Sequence, residues 1–121
     1  MMDIERLREY CLAKPGTTES FPFDEFVLVF KVKGKMFAAS NIGHDELVLG
    51  LKCDPEKALE LREEFDEISP GFHMNKKHWN SVKCEGGLSD IFICDLINHS
   101  YELVVKGLRK SDRDEIMTEE K

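Results

Sequence analysis

The chain has 121 residues, of which 41% are hydrophobic and 34% charged, which is typical of a globular domain with one buried core. Its formal net charge is −7, and a uniformly acidic surface would repel nucleic acid at long range. The sequence has no run of about 20 apolar residues that could span a membrane and no apolar block of a signal peptide near its start, so we expect a cytoplasmic protein without a membrane partner. None of its four cysteines forms a C-x-x-C pair, and we expect all four to be reduced thiols. We treat the protein as a monomer.

The first helix is predicted over residues 3–13. Apolar side chains recur there at helical spacing, Asp3 is a typical N-cap, and Lys14-Pro15-Gly16 ends the pattern. Residues 17–25 show no regular period, and we expect them to form an irregular connection.

A β-hairpin is predicted around the two-residue turn Lys33-Gly34, because glycine supplies the positive φ that such turns need. The strands on either side form one strongly apolar face, in which the expected cross-strand pairs are Val32–Lys35, Phe30–Phe37 and Leu28–Ala39. The opposite face is expected to carry Val29, Lys31, Met36 and Ala38. A third strand is predicted over residues 47–53, because its leucines alternate with other residues.

The second half of the chain predicts two further helices. Asp54-Pro55 begins one of them, and the last helix is expected over residues 89–108, where apolar residues recur at i, i+3 and i+4. Between them, residues 69–83 are expected to form a loop that continues into a strand near residues 78–83, followed by a turn at Gly86-Gly87. Residues 1–110 are predicted to form a single domain, and residues 111–121 a charged, disordered tail.

This order of elements predicts an α+β fold, a two-layer α/β sandwich. Strands joined by hairpins form an antiparallel sheet, and its single apolar face requires a cover of amphipathic helices. The other face of the sheet is then left open.

Charge is distributed unevenly between these layers. The predicted sheet segments, 26–53 and 68–83, have a combined net charge of +5, whereas the remaining segments total −12. The open sheet face could therefore bind an anion or nucleic acid. Alternatively, its lysines are merely solvated and protect the sheet from aggregation. The lysines in question are Lys31, Lys33, Lys35, Lys52, Lys76 and Lys77.

The segment PGFHMNKKHWNSV concentrates polar and aromatic residues that can contact nucleic acid. Lysine neutralises phosphates, asparagine can bond base edges, and an exposed aromatic ring can stack on a base. The alternative is that Trp79 anchors a strand in the core and that the asparagines satisfy loop backbone. The candidate residues of this segment are His73, Asn75, Lys76, Lys77, His78 and Trp79.

Motifs for catalysis and metal binding are weak or missing. The sequence has neither a Gly-rich phosphate loop nor a G-x-S-x-G elbow. His73 and His78 are five residues apart, a spacing that separates them in a strand or a helix, and residues 44–46 could hold a cation only weakly. Cys84 could meet one of these histidines, but buried cysteines are more often inert. We therefore expect no catalytic residue, no metal and no cofactor.

Several motifs make the sequence similar to the MmcQ/YjbR family of small bacterial proteins. In chain order they are YCLAKPGTTESFPFDE, FKVKGKMFA, LKCDPEKALELREEF, PGFHMNKKHWNSV and LINHSYELVVKGL. The resemblance covers nearly the whole chain and leaves only the acidic tail after Arg109 outside it.

The resemblance implies a frataxin-like (CyaY-like) sandwich and DNA binding through a double-wing motif. Transferred to this sequence, the implied binding surface consists of the hairpin residues Lys31, Lys33 and Lys35 and of the segment His73 to Trp79. The leading hypothesis is thus a non-enzymatic module that contacts nucleic acid, DNA in particular, through the open sheet face.

Two alternatives remain open. One is a regulator that binds a protein partner or a small anion through the same face. The other is a frataxin-like metal handler, which rests on fold analogy alone. Among the acidic residues of the first helix, only Glu5 and Glu9 share a helical face, so they form no tight cluster there.

Overall fold

The computed structural model describes residues 2–42, 46–71 and 74–119, which form four helices and six strands. In chain order these are α1 (Ile4–Leu12), β1 (Thr17–Ser20), β2 (Val27–Val32), β3 (Lys35–Asn41), β4 (Val48–Lys52), α2 (Pro55–Glu64), β5 (Ile68–Pro70), β6 (Trp79–Lys83), α3 (Asp90–Lys106) and α4 (Lys110–Glu119).

The strands form one antiparallel sheet in the order β1-β2-β3-β4-β6-β5. Helix α3 packs on the central strands β3 and β4, while α1 packs on β1 and α2 on β5. The main core lies between the sheet and these helices, and it includes Phe30, Phe37, Leu49, Ile93 and Ile97. The predicted α+β class is therefore confirmed. No helix in the described ranges combines the length and the apolar character needed to cross a bilayer.

Side-chain caps begin three of the helices where the sequence predicts them. Asp3 accepts a hydrogen bond from the backbone N–H of Arg6 at 2.9 Å, and Ser89 accepts one from Phe92 at 3.1 Å. Asp54 accepts one from the N–H of Lys57 at 3.3 Å, directly before Pro55. Each cap satisfies a backbone donor that the helix itself leaves without a partner.

The β2–β3 hairpin has the predicted turn but a different register. Lys33 and Gly34 both adopt positive φ, of 50° and 80°, as a tight hairpin turn requires. The predicted pair Phe30–Phe37 is wrong, because Phe30 lies opposite Ala38. Strand β3 contains one extra residue, Phe37, at a β-bulge that alternation in the sequence does not reveal.

The bulge changes which side chains of β3 face the helices. Leu28 pairs with Ser40 rather than with Ala39 as predicted. Ala38 consequently joins the core on the helix side, and Ala39 turns to the open face beside Val29. The small side chain of Ala39 therefore becomes part of the open face.

A buried serine of α3 supports the bulge. Ser100 donates a hydrogen bond to the carbonyl oxygen of Phe37 at 2.5 Å and accepts one from the backbone N–H of Lys52 at 2.9 Å. Its hydroxyl therefore satisfies backbone groups of both β3 and β4 next to the irregular pairing. Helix α3 thereby fixes the position of Lys52 at the end of β4.

Three elements differ from the sequence prediction. Strands β1 and β5 lie largely in segments predicted as loop. They are short edge strands, β1 with polar residues only and β5 with a single buried apolar residue, Ile68, and they are held by pairing with β2 and β6. Residues 111–119 of the predicted disordered tail belong to helix α4, which begins at Lys110. Ile116 of this helix is 3% exposed and joins the main core, so burial of one apolar side chain anchors the helix.

Candidate functional site

The open face, the side of the sheet opposite the helices, carries lysines and the only tryptophan at its hairpin end. Lys31 lies opposite Met36 on β2 and β3, and Lys52 lies opposite Trp79 on β4 and β6. Because alternate residues of these strands face the core, these four side chains share the open face. We call them the basic row.

Small side chains occupy the next row of the open face. In neighbouring strands these are Val29, Ala39, Gly50, Ser81 and Ser69, joined by successive cross-strand pairs. Val29 is 0% and Ala39 6% exposed, yet neither belongs to the main core. This row forms the floor of a depression in the sheet.

The depression is a groove of about 770 Å³ that the segments flanking the sheet enclose. Met74 reaches across it, because a Cβ on Gly50 would lie 3.5 Å from the Met74 methyl carbon. The groove has a mostly apolar lining, which includes Phe23, Val27, Met36, Val48 and Pro70. A volume of this size is in the range of small-molecule and cofactor sites.

Two polar side chains lie at the end of the groove remote from the basic row. Asn41 has its amide oxygen buried without a hydrogen-bond partner in the described part of the chain. Asp24 accepts hydrogen bonds from the backbone N–H groups of Phe26 and Val27, at 2.8 and 3.0 Å, and so shapes the loop that walls the groove. A ligand with an N–H donor could satisfy the Asn41 oxygen.

The loop between β1 and β2 exposes three phenylalanines, of which Phe23 lines the groove. Phe21 is 46%, Phe23 70% and Phe26 54% exposed. Three exposed large apolar side chains within six residues are a feature of interaction surfaces.

The predicted lysines occupy different environments. Lys31 and Lys52 are partly exposed on the open face, and Lys35 and Lys77 are exposed near its hairpin end. Lys33 points to α4 and forms an ion pair with Glu115 at 2.6 Å. The structure thus brings some of the predicted lysines together and involves others in internal contacts.

Residues 74–79 are positioned largely by hydrogen bonds. Lys76 donates a hydrogen bond to the carbonyl oxygen of Gly71 at 3.1 Å. The side-chain oxygen of Asn75 accepts one from the N–H of Lys77 at 2.9 Å. The backbone carbonyl oxygen of Asn75 accepts hydrogen bonds from the N–H groups of His78 and Trp79, at 3.3 and 3.0 Å. Asn75 and Lys76 therefore stabilise the turn before β6. His73 lies outside the described residues.

Arg62 of α2 holds this turn from the helix side. Its guanidinium donates hydrogen bonds to the side-chain oxygen of Asn80 at 2.7 Å, to the carbonyl oxygen of Trp79 at 3.2 Å and to that of Lys76. Since Asn80 faces the helices and is 2% exposed, the adjacent Trp79 points to the open face.

Trp79 is half-buried and lies outside the main core, so the alternative in which it anchors the core is wrong. Gly71 gives it room, because a Cβ on Gly71 would lie 2.8 Å from the Trp79 Cβ. The Trp79 ring and the ammonium groups of the basic row therefore lie together at the hairpin end of the open face.

The cysteines lie away from the open face. Burial raises the pKa of Cys11 to about 12, and burial with the nearby carboxylates of Glu85 and Asp90 raises the pKa of Cys84 to about 12. Both therefore remain thiols at neutral pH and are poor nucleophiles. Among the described residues, no three His, Cys, Asp or Glu side chains cluster as metal ligands would.

The sequence predicted lysines on the open sheet face but did not predict the groove. Its floor depends on the bulge at Phe37, which turns Ala39 outward, and on long-range pairing of β4 with β6. The available signal was the segment FPFDEF, whose three phenylalanines follow no helix or strand period.

Comparison with known proteins places this fold and sequence among close relatives. The family model described as YjbR matches residues 12–103. Protein YbdF of Escherichia coli O157:H7 is 38% identical over 112 residues, covering 93% of this chain and 92% of YbdF. Protein YjbR of Escherichia coli strain K12 is 35% identical over 112 residues, covering 93% of this chain and 95% of YjbR.

A solved structure agrees with this assignment. The crystal structure of Deinococcus radiodurans protein DR2400, with the family-model domain DUF419, superimposes with a TM-score of 0.90 at 42% identity, covering 96% of this chain and 88% of that chain. The region that the family model matches contains every strand and α3 as far as Leu103. The chain belongs to the YjbR family.

Proposed function

We propose that this protein is a non-enzymatic binding module that takes single-stranded nucleic acid, DNA in particular, on its open sheet face. The observation that carries the proposal is the basic row, in which two cross-strand pairs place Lys31, Lys52 and Trp79 on one end of that face. Lysine ammonium groups neutralise phosphates, and the partly exposed Trp79 ring offers a stacking surface to a base.

The uneven distribution of charge between the two layers supports binding on the open sheet face. The segments 26–53 and 68–83 contain strands β2 to β6 and total +5, whereas the remaining segments, which hold α1 to α4, total −12. The helical layer would repel a polyanion, so electrostatics favour approach from the sheet side.

Single strands suit this face better than a duplex. Reading the bases of a duplex requires an element that enters a groove, whereas a ring on an open sheet face can stack on unstacked bases. The groove beside the basic row is concave and mostly apolar, as a site for the faces of bases would be. The double-wing DNA-binding mode implied by the family resemblance would use the same hairpin end.

A cytoplasmic location is part of the proposal, and the four free cysteines fit a reducing compartment.

A second candidate is a protein partner. The exposed Phe21, Phe23 and Phe26 support it, because aromatic residues are enriched in protein interfaces. Such a partner would depend on these rings more than on the basic row.

The test measures fluorescence anisotropy of labelled oligonucleotides of about ten nucleotides, single- and double-stranded, at about 50 mM and about 200 mM salt. We expect single strands to bind more tightly, with an affinity that falls as salt rises. In the double variant Lys31→Glu/Lys52→Glu the affinity should fall about tenfold or more, because two phosphate contacts become repulsive.

The matched control is Lys57→Glu/Lys110→Glu, which changes the net charge by the same amount on the helical layer. Both lysines are exposed and lie in the first turn of a helix, where an acidic side chain interacts favourably with the helix dipole. The control should bind nearly as the wild type does. Equal losses in both variants, or no binding at low salt, would refute the proposal.

A further inference from the structure

We infer that the groove receives at least one unstacked base of the bound strand while the basic row holds the adjoining phosphates. The inference rests on the proposed function and adds to it how the same face distinguishes bases from backbone. It starts from the neighbouring positions of two features on one face, the basic row and the groove floor.

The two features are continuous along the strands. Lys52 and Gly50 are alternate residues of β4, and Trp79 and Ser81 are alternate residues of β6, so each pair points to the open face. Alternate residues of a strand are about 7 Å apart, which is comparable to the distance between successive phosphates of an extended strand. A backbone bound at Lys52 therefore lies within reach of the groove.

The groove also has the chemistry of a base site. Its floor has small side chains, which allow a flat ring to approach the sheet, and Met74 offers a polarizable side chain to a ring face. Its volume of about 770 Å³ exceeds that of one base, so it is large enough without rearrangement of the sheet.

The buried amide oxygen of Asn41 favours a base over a purely hydrocarbon ligand. Asn41 lines the groove, and its buried amide oxygen lacks a partner among the described residues. An alkyl chain would leave it unsatisfied, whereas bases carry N–H donors on their edges. The positive charge of the basic row complements the phosphates that accompany a base but offers nothing to a neutral apolar molecule.

The experiment compares two single-stranded oligonucleotides of equal length and charge, an oligocytidine and a chain of abasic sites. Anisotropy measures both affinities for the wild-type protein at one salt concentration. Phosphate contacts are the same in both, so any difference reports the bases. We expect the oligocytidine to bind about tenfold more tightly or better, as base contacts in single-strand sites do.

Two variants at one position then locate the base. Gly50→Leu fills the groove, whereas Gly50→Ala adds a Cβ that stands at ordinary contact distance from Met74, 3.5 Å. The difference between the two oligonucleotides should shrink in Gly50→Leu to the part that stacking on Trp79 supplies, and it should shrink less in Gly50→Ala. Circular dichroism and thermal unfolding check that each variant is folded, and the comparison on the wild-type protein needs no variant.

The outcomes separate the inference from the proposed function. Equal binding of both oligonucleotides overturns the base site but leaves nucleic-acid binding intact. A difference that persists undiminished in folded Gly50→Leu also overturns it, because the groove then holds no base. Failure of both oligonucleotides to bind at low salt overturns the proposed function and the inference together, and directs attention to a protein partner.

Discussion

Lys52 and Trp79 lie directly opposite one another on β4 and β6, and both side chains point to the face of the sheet that the helices leave open. Their positions are fixed from the other side of the sheet, since Ser100 accepts a hydrogen bond from the backbone of Lys52 and Arg62 donates one to the carbonyl oxygen of Trp79. The helical layer thus positions the backbone of both residues without covering their side chains.

Removal of the Trp79 ring should weaken binding without unfolding the protein. The ring lies outside the main core, so Trp79→Ala should retain a cooperative unfolding transition. Loss of one stacking surface is worth about 1–3 kcal/mol, so the affinity for a single strand should fall by about tenfold. Anisotropy measures the affinity, and unchanged affinity in a folded variant would place the strand elsewhere.

Intrinsic fluorescence gives an independent reading of the same contact. Trp79 is the only tryptophan in the chain, so its emission reports this site alone. Addition of an unlabelled single strand should quench or shift the emission, and the change should saturate with the affinity that anisotropy gives. In Lys31→Glu/Lys52→Glu the same change should require a higher concentration of strand.

Arg62→Ala should destabilise the protein by about 2 kcal/mol or more. The substitution leaves the buried side-chain oxygen of Asn80 without its donor at 2.7 Å, and an unsatisfied buried polar group costs about 1–3 kcal/mol. Urea unfolding measures the change. The control is Arg109→Ala, whose contact with Asp112 is exposed, so its free energy of unfolding should change by less than about 0.5 kcal/mol. Equal effects in the two variants would contradict the role of Arg62.

Stability should fall in mild acid partly because of His99. Its Nε2 accepts a hydrogen bond from the backbone N–H of Asp54 at 3.2 Å, which requires a neutral ring. Burial first, and the charge of Lys57 second, lower its pKa below the ordinary 6.5, although the carboxylates of Asp54 and Glu102 oppose the shift. Below about pH 6.5 the unfolded chain therefore takes up a proton that the folded protein binds less readily, so the free energy of unfolding decreases as the pH is lowered.

His99→Gln tests this pH dependence. Glutamine retains an acceptor but does not titrate, and the remaining histidines are the same in both proteins. Urea unfolding at about pH 7.5 and about pH 5.5 should show a larger loss of stability for the wild type than for the variant. Equal losses would mean that His99 does not contribute.

The thiols should differ strongly in reactivity. Cys94 is partly exposed, whereas Cys11 and Cys84 are buried and have their pKa raised to about 12. With iodoacetamide on the folded protein, mass spectrometry should find Cys94 alkylated before either of these, which should react only after denaturation. Early modification of Cys11 or Cys84 would contradict the burial described for them.

The sequence predicted those parts of the fold that depend on local patterns. The N-caps Asp3 and Asp54 and the turn Lys33-Gly34 depend on nearby residues, and each lies where it was predicted. The edge strands β1 and β5 carry little apolar signal and exist because a neighbouring strand pairs with them. The bulge at Phe37 depends on a contact with Ser100, 63 residues away, which no local pattern reveals.

In the candidate site, too, features set by local sequence could be predicted and features set by tertiary structure could not. Lys31 and Lys52 could be identified from alternation within single strands. The groove could not, because its floor combines side chains of five strands and one of them, Ala39, faces outward only as a result of the bulge. The internal contacts of Lys33 with α4 and of Lys76 with Gly71 also depend on tertiary structure.

The most direct test of the open face as the binding face is a titration of ¹⁵N-labelled protein with an unlabelled single strand of about ten nucleotides, followed by amide chemical shifts. The account predicts that the largest changes occur at Lys31, Ala39, Gly50, Lys52 and Trp79, with little change along α1 and the exposed side of α3. Changes concentrated on the helices, or no change at low salt, would contradict it.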